Sequence, residues 1–585
     1  MSLYDKASLI LPVSPAYKDG ALQSYKPLTS EGTFTFSRGS NLAATRVGAD
    51  GLIEKGRENK IFYSNIFSNT VWLLQFSTIT SGQSGYDGSS NAWLLDSNIA
   101  GGNIRQGSSV SGVNTFSVYA KKGTADGIRV RFDQTSDTNV YVDLRDGSVF
   151  TSGNTIDIDV QSIGSGWYRV TFAMLNAGLA LFRVYPTDGS TSTIVGNILI
   201  QDAQVEQGLV ATEYIETTTT TGTAGILEDL PRLDYSGGAT CPSLLLEGSR
   251  TNLIDYSEYF GGWSITRVAV NSNADDSPEG RANATKVVPN TSGGEHFIAR
   301  SGFNRTAGEY LSHTVYAKAD GYDYLYISNG ASRLYGIYNL SNGSVEYVNS
   351  NGVDFTNHSA SVESVGNGWY RCTLIGQALV TGSTYMRLAC APTPVNIHTP
   401  SFAGDGTSGA LIYGAQVEAG AYPTSLIPTY GTSVTRSFDK IGDSIIPSFN
   451  DNNEFTFFFD LYRIGVGSDS IASAYEFRAD NYATNFVMWV DSPSAQIRFR
   501  DALNGYANMG GVIPFLAGTN KKIAISCDGV TFKTFVNGSL IHSYNVVNQF
   551  SINRLYQYAK AINKKQYLNF PTALTDAECI ALTTI

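Results

Sequence analysis

The chain repeats itself. The segment Glu54-Lys-Gly-Arg57-Glu-Asn59-Lys-Ile61-Phe-Tyr63-Ser64 matches Glu247-Gly-Ser-Arg250-Thr-Asn252-Leu-Ile254-Asp-Tyr256-Ser257 at an offset of 193 residues. Three more blocks follow in the same order: 116–121 with 313–318 (offset 197), 162–169 with 364–371 (offset 202) and 203–208 with 415–420 (offset 212). Ordered matches with a slowly growing offset mean one module present twice, with loop insertions in the second copy. A chain of 585 residues is too long for one hydrophobic core, so several domains are expected in any case.

The segments between the blocks alternate apolar and polar residues and end in Gly, Asn, Asp or Ser turns, as in Ile128-Arg-Val130-Arg-Phe132 and Val140-Tyr-Val142-Asp-Leu144. Helical periodicity is missing, so each module reads as a β-sandwich of jelly-roll type. From about residue 440 the blocks stop, and strand–turn–strand runs such as Lys522-Ile523-Ala-Ile525-Ser and Val530-Thr-Phe532 predict a third, different sandwich. Thr575 and Glu578 form a capping-box pattern for a short closing helix. The predicted fold is all-β: tandem duplicated jelly-roll sandwiches followed by another β-sandwich. Its expected divisions are 1–30 as an N-terminal arm or anchor, 31–223 as module 1, 224–240 as a linker, 241–439 as module 2 and 440–585 as the last sandwich. The threonine run 217–221 suits a linker or an edge strand.

Composition narrows the function classes. Charged residues are 16% of the chain and the net charge is −11, with no basic stripe, so nucleic acid is not an expected partner. Five scattered cysteines form neither a disulfide framework nor a metal-ligand spacing, although Cys372 and Cys390 could lie on neighbouring strands. No apolar stretch reaches membrane-spanning length, and the opening residues lack the basic and apolar regions of a leader. Membrane insertion is therefore not expected.

The blocks Gly-Asn-Gly-Trp369-Tyr-Arg371, Gly-Ala-Gln-Val-Glu418-Ala-Gly and Ile427-Pro-Thr-Tyr-Gly-Thr-Ser-Val-Thr-Arg436 resemble the carbohydrate-binding-module-like jelly rolls of tailed-phage virion proteins. The opening residues 2–9 and the stretch 36–46 resemble the starts of such proteins. The C-terminal third, with Asp528-Gly529, Val-Asn537-Gly538 and a final Leu574-Thr-Asp-Ala-Glu578, is similar to the concanavalin-A/laminin-G-like lectin domains that end phage tail or fibre proteins. The resemblance implies a concanavalin-A-like last sandwich and a virion structural protein: tail, fibre or capsid appendage. It further implies assembly in the host cytoplasm as a homo-oligomer with other virion proteins, and contact with host surface polysaccharide. The alternatives are a polysaccharide-degrading enzyme and a secreted cellular lectin or adhesin.

Catalytic motifs are missing from the sequence. The five histidines form no HExxH pattern, no Ser lies in a nucleophile elbow, and no phosphate-binding loop occurs, so a non-enzymatic chain is expected. Residues shared by both copies read as scaffold: Trp167 and Trp369, Arg169 and Arg371, Glu206 and Glu418. Positions that differ are better binding candidates. Alternation puts Tyr322, Tyr324 and Tyr326 on the strand face opposite Leu325 and Ile327, where copy 1 has Ala125, Gly127 and Arg129. Three such rings suit stacking on sugars, or cover by a neighbouring domain or subunit. Asp126 and Asp323 align and are candidate calcium ligands, as in some modules of this type. No ligand loop is readable, so a turn role is the simpler one, the metal is undefined, and no other cofactor is expected.

Overall fold

The computed structural model describes residues 3–12, 17–18, 21–23, 33–34, 36–40, 42–133, 138–330, 334–445, 454–463, 472–478, 484–491, 496–502, 507–516, 518–546, 552, 554–558 and 562–584. It is all-β, with short helices only at Leu3–Lys6, Ser236–Gly238, Phe260–Gly262 and Asp576–Thr583 among the described residues. The second copy is a sandwich of two six-stranded layers. One layer runs Ser264–Thr266, Phe297–Arg305, Gly382–Ala391, Tyr324–Asn329, Leu334–Asn339, Ser344–Ser350 in hydrogen-bonding order. The other runs Val268–Asp275, Ala284–Pro289, Gly409–Ala419, Tyr310–Asp320, Trp369–Ala378, Phe355–Gly366.

The first copy has the same strand order but joins its layers. Asn103–Lys122 and Trp167–Thr187 run unbroken through both, paired from Ile104 opposite Val184 to Lys121 opposite Trp167. Gly112 (φ +72°) and Gly178 (φ +137°) stand in this long ladder with backbone that side chains other than glycine rarely adopt. In the second copy the same path is cut by a turn in which the Glu309 amide donates to the Thr306 carbonyl at 3.0 Å.

Hydrogen bonds repeat as closely as strands. Asn59 Nδ2 donates to the carbonyls of Ala203 and Ile215, and Asn252 Nδ2 to those of Ala415 and Ile427. Ser64 and Thr217 bond reciprocally, amide to hydroxyl, and so do Ser257 and Thr429. The first residue of the threonine run is thus a buried part of module 1, not linker.

The C-terminal sandwich draws strands from the whole chain. Its strand Ile562–Phe570 pairs on one side with Glu454–Arg463. On the other side it pairs with Leu9–Pro12, Leu9 opposite Asn569, and with Ser243–Leu246, Leu245 opposite Asn563. Arg232–Asp234 extends that edge, and Phe36–Ser37 pairs with Lys440–Ile445 in the facing layer. The sequence divisions are corrected to this extent: the expected arm 1–30 and linker 224–240 both supply strands to the last sandwich, because an edge strand left open has unpaired amides and carbonyls. Alternation holds along Glu454–Arg463. Phe455, Phe457, Phe459 and Leu461 enter the main core, while Phe458 packs on the other face with Leu568, Phe570 and Cys579 beneath the last helix. That helix carries the predicted capping box of Thr575 and Glu578.

A buried ionic cluster ties the junction together. Arg232 meets Glu247 at 2.7 Å and also Asp439, Arg436 meets Glu247 at 3.0 Å, and Arg38 meets Asp439 at 3.2 Å, with every side chain at most 2% exposed. These residues come from the start of module 1, between the modules, and both ends of module 2.

Candidate functional site

The modules meet along a hairpin, Thr45–Val47 paired with Ile53–Lys55, that leans from module 1 onto module 2. Thr45 Oγ1 donates to the Leu426 carbonyl at 2.8 Å, and the Ile53 amide to the Pro278 carbonyl at 2.8 Å. The hairpin inserts Lys55, whose ammonium lies 3.1 Å from Glu258 and 2.8 Å from Glu279 and donates to the Tyr430 hydroxyl at 3.1 Å. Tyr413 donates to Glu279 at 2.8 Å, and Tyr430 to Glu258 at 3.2 Å. Burial works against the Lys55 ammonium, but the two carboxylates outweigh it and hold its pKa above the ordinary lysine value. Burial raises the pKa of Glu258, with Lys55 opposing. Burial also acts to raise Glu279, but there Lys55, Asn283 and Tyr413 prevail and hold its carboxyl below the usual range.

Above this group the seam opens into a cleft of about 430 Å³, within the usual size of small-molecule sites. One wall is module 1 (Gly56, Arg57, Glu58, Lys60, Ser111 and the 206–210 turn), and the other is module 2 (Tyr256, Glu279, Asn283, Pro428 and 430–432). Both strand chemistry and backbone fit make the cleft. Arg57 and Glu58 line the seam from a short strand paired with Gly222–Ala224, while the next residue, Asn59, turns into module 1. At the base, the Val113 amide donates to the Tyr430 carbonyl at 2.7 Å, and a Cβ on Gly112 would stand 1.5 Å from that oxygen. Arg57 is paired with Glu213, which Arg281 of module 2 also holds at 2.8 Å. Burial works to raise the Glu213 carboxyl, but Arg281 and Arg57 bring it down to about 2. Lys60 is partly buried in the wall, and that burial lowers its pKa, with Glu58 opposing.

The paired scaffold residues do in each copy what the sequence reading assigned them. Glu206 accepts from the Thr212 amide and hydroxyl at 2.8 and 2.6 Å, and Glu418 accepts from both groups of Thr424. Arg169 and Arg371 donate to the carbonyls of those same threonines. Trp167 and Trp369 are each 2% exposed.

The tyrosines are a correction. Tyr322 is 6% and Tyr326 1% exposed, and Tyr324 is half-buried. Tyr322 precedes the strand Tyr324–Asn329, so alternation does not govern it, and it turns into the module core. Tyr324 and Tyr326 do lie opposite Leu325 and Ile327, but the chain's own 393–402 segment covers that face. Tyr326 donates to the Thr393 carbonyl at 3.2 Å, and Phe402 packs beside both rings. Asp126 is engaged by Lys122 at 2.8 Å and Arg145 at 3.6 Å, and the Asp323 carbonyl accepts from the Leu340 amide. Among the described residues no three His, Cys, Asp or Glu side chains converge as metal ligands. Cys372 and Cys390 are buried, free thiols. Among the described residues no helix is long and apolar enough to cross a membrane.

The cleft residues form no motif shared by the two copies. The signal lay in the mismatches: Lys55, Glu58 and Lys60 stand where the second copy has Gly248, Thr251 and Leu253.

No protein-family description matches the chain, and no curated protein matches it. Among solved structures it is similar to the carbohydrate-binding module CBM40 of a Ruminococcus gnavus IT-sialidase bound to alpha2,3 sialyllactose. The identity is 14%, over 23% of this chain and 83% of that one, with a TM-score of 0.19. The alpha2,6 sialyllactose complex gives 12% identity over 24% and 96%, TM-score 0.19. Trypanosoma rangeli sialidase in complex with sialic acid aligns at 9% identity over 94% of this chain and 97% of that one, TM-score 0.20. Carbohydrate-binding modules and sialidases are thus what the chain is similar to, at TM-scores that carry no further argument about ligand or reaction. The expectation of a non-enzymatic chain is corrected by the sialidases among these structures. An absent linear motif does not exclude a catalytic site that folding assembles from separate segments.

Proposed function

We propose that the chain binds glycans in the cleft between its two repeated modules. One observation carries this reading: the cleft is preformed, lies at a module interface and is lined by tyrosine, charged and hydroxyl-bearing residues together. Such a lining suits a ligand with apolar ring faces and many hydroxyl groups. A glycan array with the wild-type chain and with Ser111→Trp and Thr432→Trp tests it. Both positions are exposed and line the cleft, Ser111 on module 1 and Thr432 on module 2. Glycan signal lost in both variants, with unchanged melting, is the expected result, and signal retained in both refutes the site.

A second reading, cleavage of the bound glycan, is favoured by Glu258 and Glu279. The two carboxyl groups share the Lys55 ammonium, and Glu279 lines the cleft while Glu258 is buried, which puts one carboxylate within reach of a bound glycan and a second close to it. Release of reducing sugar from array-positive glycans, abolished in Glu279→Gln, tests this. The tailed-phage resemblance of the repeated blocks supports placing the chain on a virion, as a homo-oligomer that presents the cleft to host polysaccharide. Mass spectrometry of purified particles tests that placement, and a particle proteome without the chain refutes it.

A further inference from the structure

Three cationic side chains line one wall of the cleft, and they are not equivalent. Lys55 is neutralised by Glu258 and Glu279, and Arg57 by Glu213. Lys60 makes no side-chain hydrogen bond and no ion pair among the described residues. The backbone fixes it there: the Lys60 amide donates to the Val205 carbonyl at 2.8 Å, and the neighbouring Asn59 is locked by carbonyls on both sides. The matching residue of the second copy is Leu253, whose amide donates to Val417 in the same way and whose side chain packs against the core. The scaffold therefore accepts an apolar residue at this place, and copy 1 keeps an ammonium. Holding a charge partly out of water without a partner is unfavourable. Glu58 lies nearby but is not within ion-pairing distance.

We infer that the cleft takes an anionic saccharide, whose acidic group pairs with Lys60 at the module 1 wall. This rests on the glycan-binding reading of the cleft and names its ligand class. The charge arrangement is selective. Glu58 and Glu279 on the same walls disfavour an anion elsewhere in the cleft, so a single acidic substituent positioned at Lys60 is accepted and a densely anionic polymer is not. The pairing would be a charge-assisted hydrogen bond to a carboxylate or to a sulfate ester, and the two chemistries are separated by experiment.

The test uses the full chain and defined probes: a neutral disaccharide extended by one uronic acid residue, the same trisaccharide with its carboxyl group reduced, a monosulfated neutral disaccharide, and its unsulfated parent. Binding is measured by calorimetry for wild type, Lys60→Met, Lys60→Arg and Ser111→Trp. The acidic probe of the correct chemistry is expected to bind at least tenfold tighter than its neutral counterpart, about 1.4 kcal/mol. Lys60→Met erases that preference, and Lys60→Arg restores it. Melting of Lys60→Met stays at or above the wild-type value, because an unpaired charge is removed. Binding of neutral and acidic members with equal affinity, still blocked by Ser111→Trp, overturns the acidic-ligand inference and leaves the cleft reading intact. Binding that Ser111→Trp does not affect overturns the cleft itself. An acid preference that survives in Lys60→Met assigns the anion to another group and also overturns the inference.

Discussion

The duplication supplies an internal control for the energetics of buried charge. Glu54 and Glu247 occupy matching positions, and both meet an arginine. Glu54 holds Arg46 Nε at 2.6 Å, with the two side chains 39% and 24% exposed. Glu247 is 2% exposed and accepts from Arg232 at 2.7 Å, Arg436 at 3.0 Å, and the Ser425 amide and hydroxyl at 2.8 and 2.6 Å. Burial alone would raise its carboxyl, but Arg436 and Arg232 hold it far below the usual range. Glu247→Gln keeps the shape and removes the charge, which takes from Arg436 the carboxylate it pairs with and leaves Asp439 to Arg38 and Arg232. Breaking a buried pair from one side costs about 3–5 kcal/mol. In Glu54→Gln, Arg46 remains hydrated, and the loss is below about 1 kcal/mol. At a urea slope of about 1–3 kcal/mol per molar, Glu247→Gln should lower the relevant midpoint by about 1 M or more, and Glu54→Gln by a few tenths of that. Hydrogen exchange at the amides of Ser243–Leu246 reports the transition locally, because this strand joins the ionic junction to the C-terminal sheet. Equal midpoint shifts in the two variants would refute the claim that the junction, rather than the repeated ion pair itself, sets the energy.

Two further outcomes follow from single positions. Gly112→Ala places a Cβ 1.5 Å from the Tyr430 carbonyl at φ +72°, so the seam must open, whereas Gly82→Ala at φ +79° meets nothing within 4 Å and carries only the left-handed penalty of about 1–2 kcal/mol. Loss of Val113 amide protection and of glycan binding in the first variant alone is expected. His313 is buried, and burial pushes its pKa down to about 4, so the unfolded chain protonates first, near 6.5. Its stability contribution is complete above about pH 6.5 and falls by about 3 kcal/mol as pH drops toward 4, a slope absent from His313→Gln in parallel urea titrations.

The repeat made the fold legible because each copy confirmed the other. Asn59 with Asn252, and Glu206 with Glu418, could be assigned to scaffold from two occurrences of one pattern, and they make the same hydrogen bonds in each. Three things were not legible. Leu9–Pro12 and Ser243–Leu246 reach a strand more than 300 residues away in sequence, and nothing local in either segment names its partner. The cover over Tyr326 comes from a loop insertion present in one copy only. The ammonium of Lys55 needs carboxylates that lie on the other module, so its block reads as an ordinary polar edge until the modules are docked.

The same comparison explains why a duplicated module can acquire a site that neither copy contains. At matching core positions, Phe116 and Phe132 pack ring on ring at 3.9 Å, where His313 and Asn329 make a 2.6 Å hydrogen bond. The scaffold thus tolerates exchange of an apolar pair for a polar one when both partners change together. At the seam the two copies face each other with different surfaces, the module 1 hairpin against the module 2 face that carries Glu258, Glu279 and Tyr413. Asn65, Asp87 and Gln201 take those places in module 1, where the Tyr86 ring stacks on Tyr119 at 3.8 Å. A head-to-tail contact between unlike faces breaks the equivalence of the copies. Once broken, a residue such as Lys60 is free to change in one copy while Leu253 keeps packing in the other. Function in such a chain is therefore to be sought where aligned residues differ and the difference points into the seam.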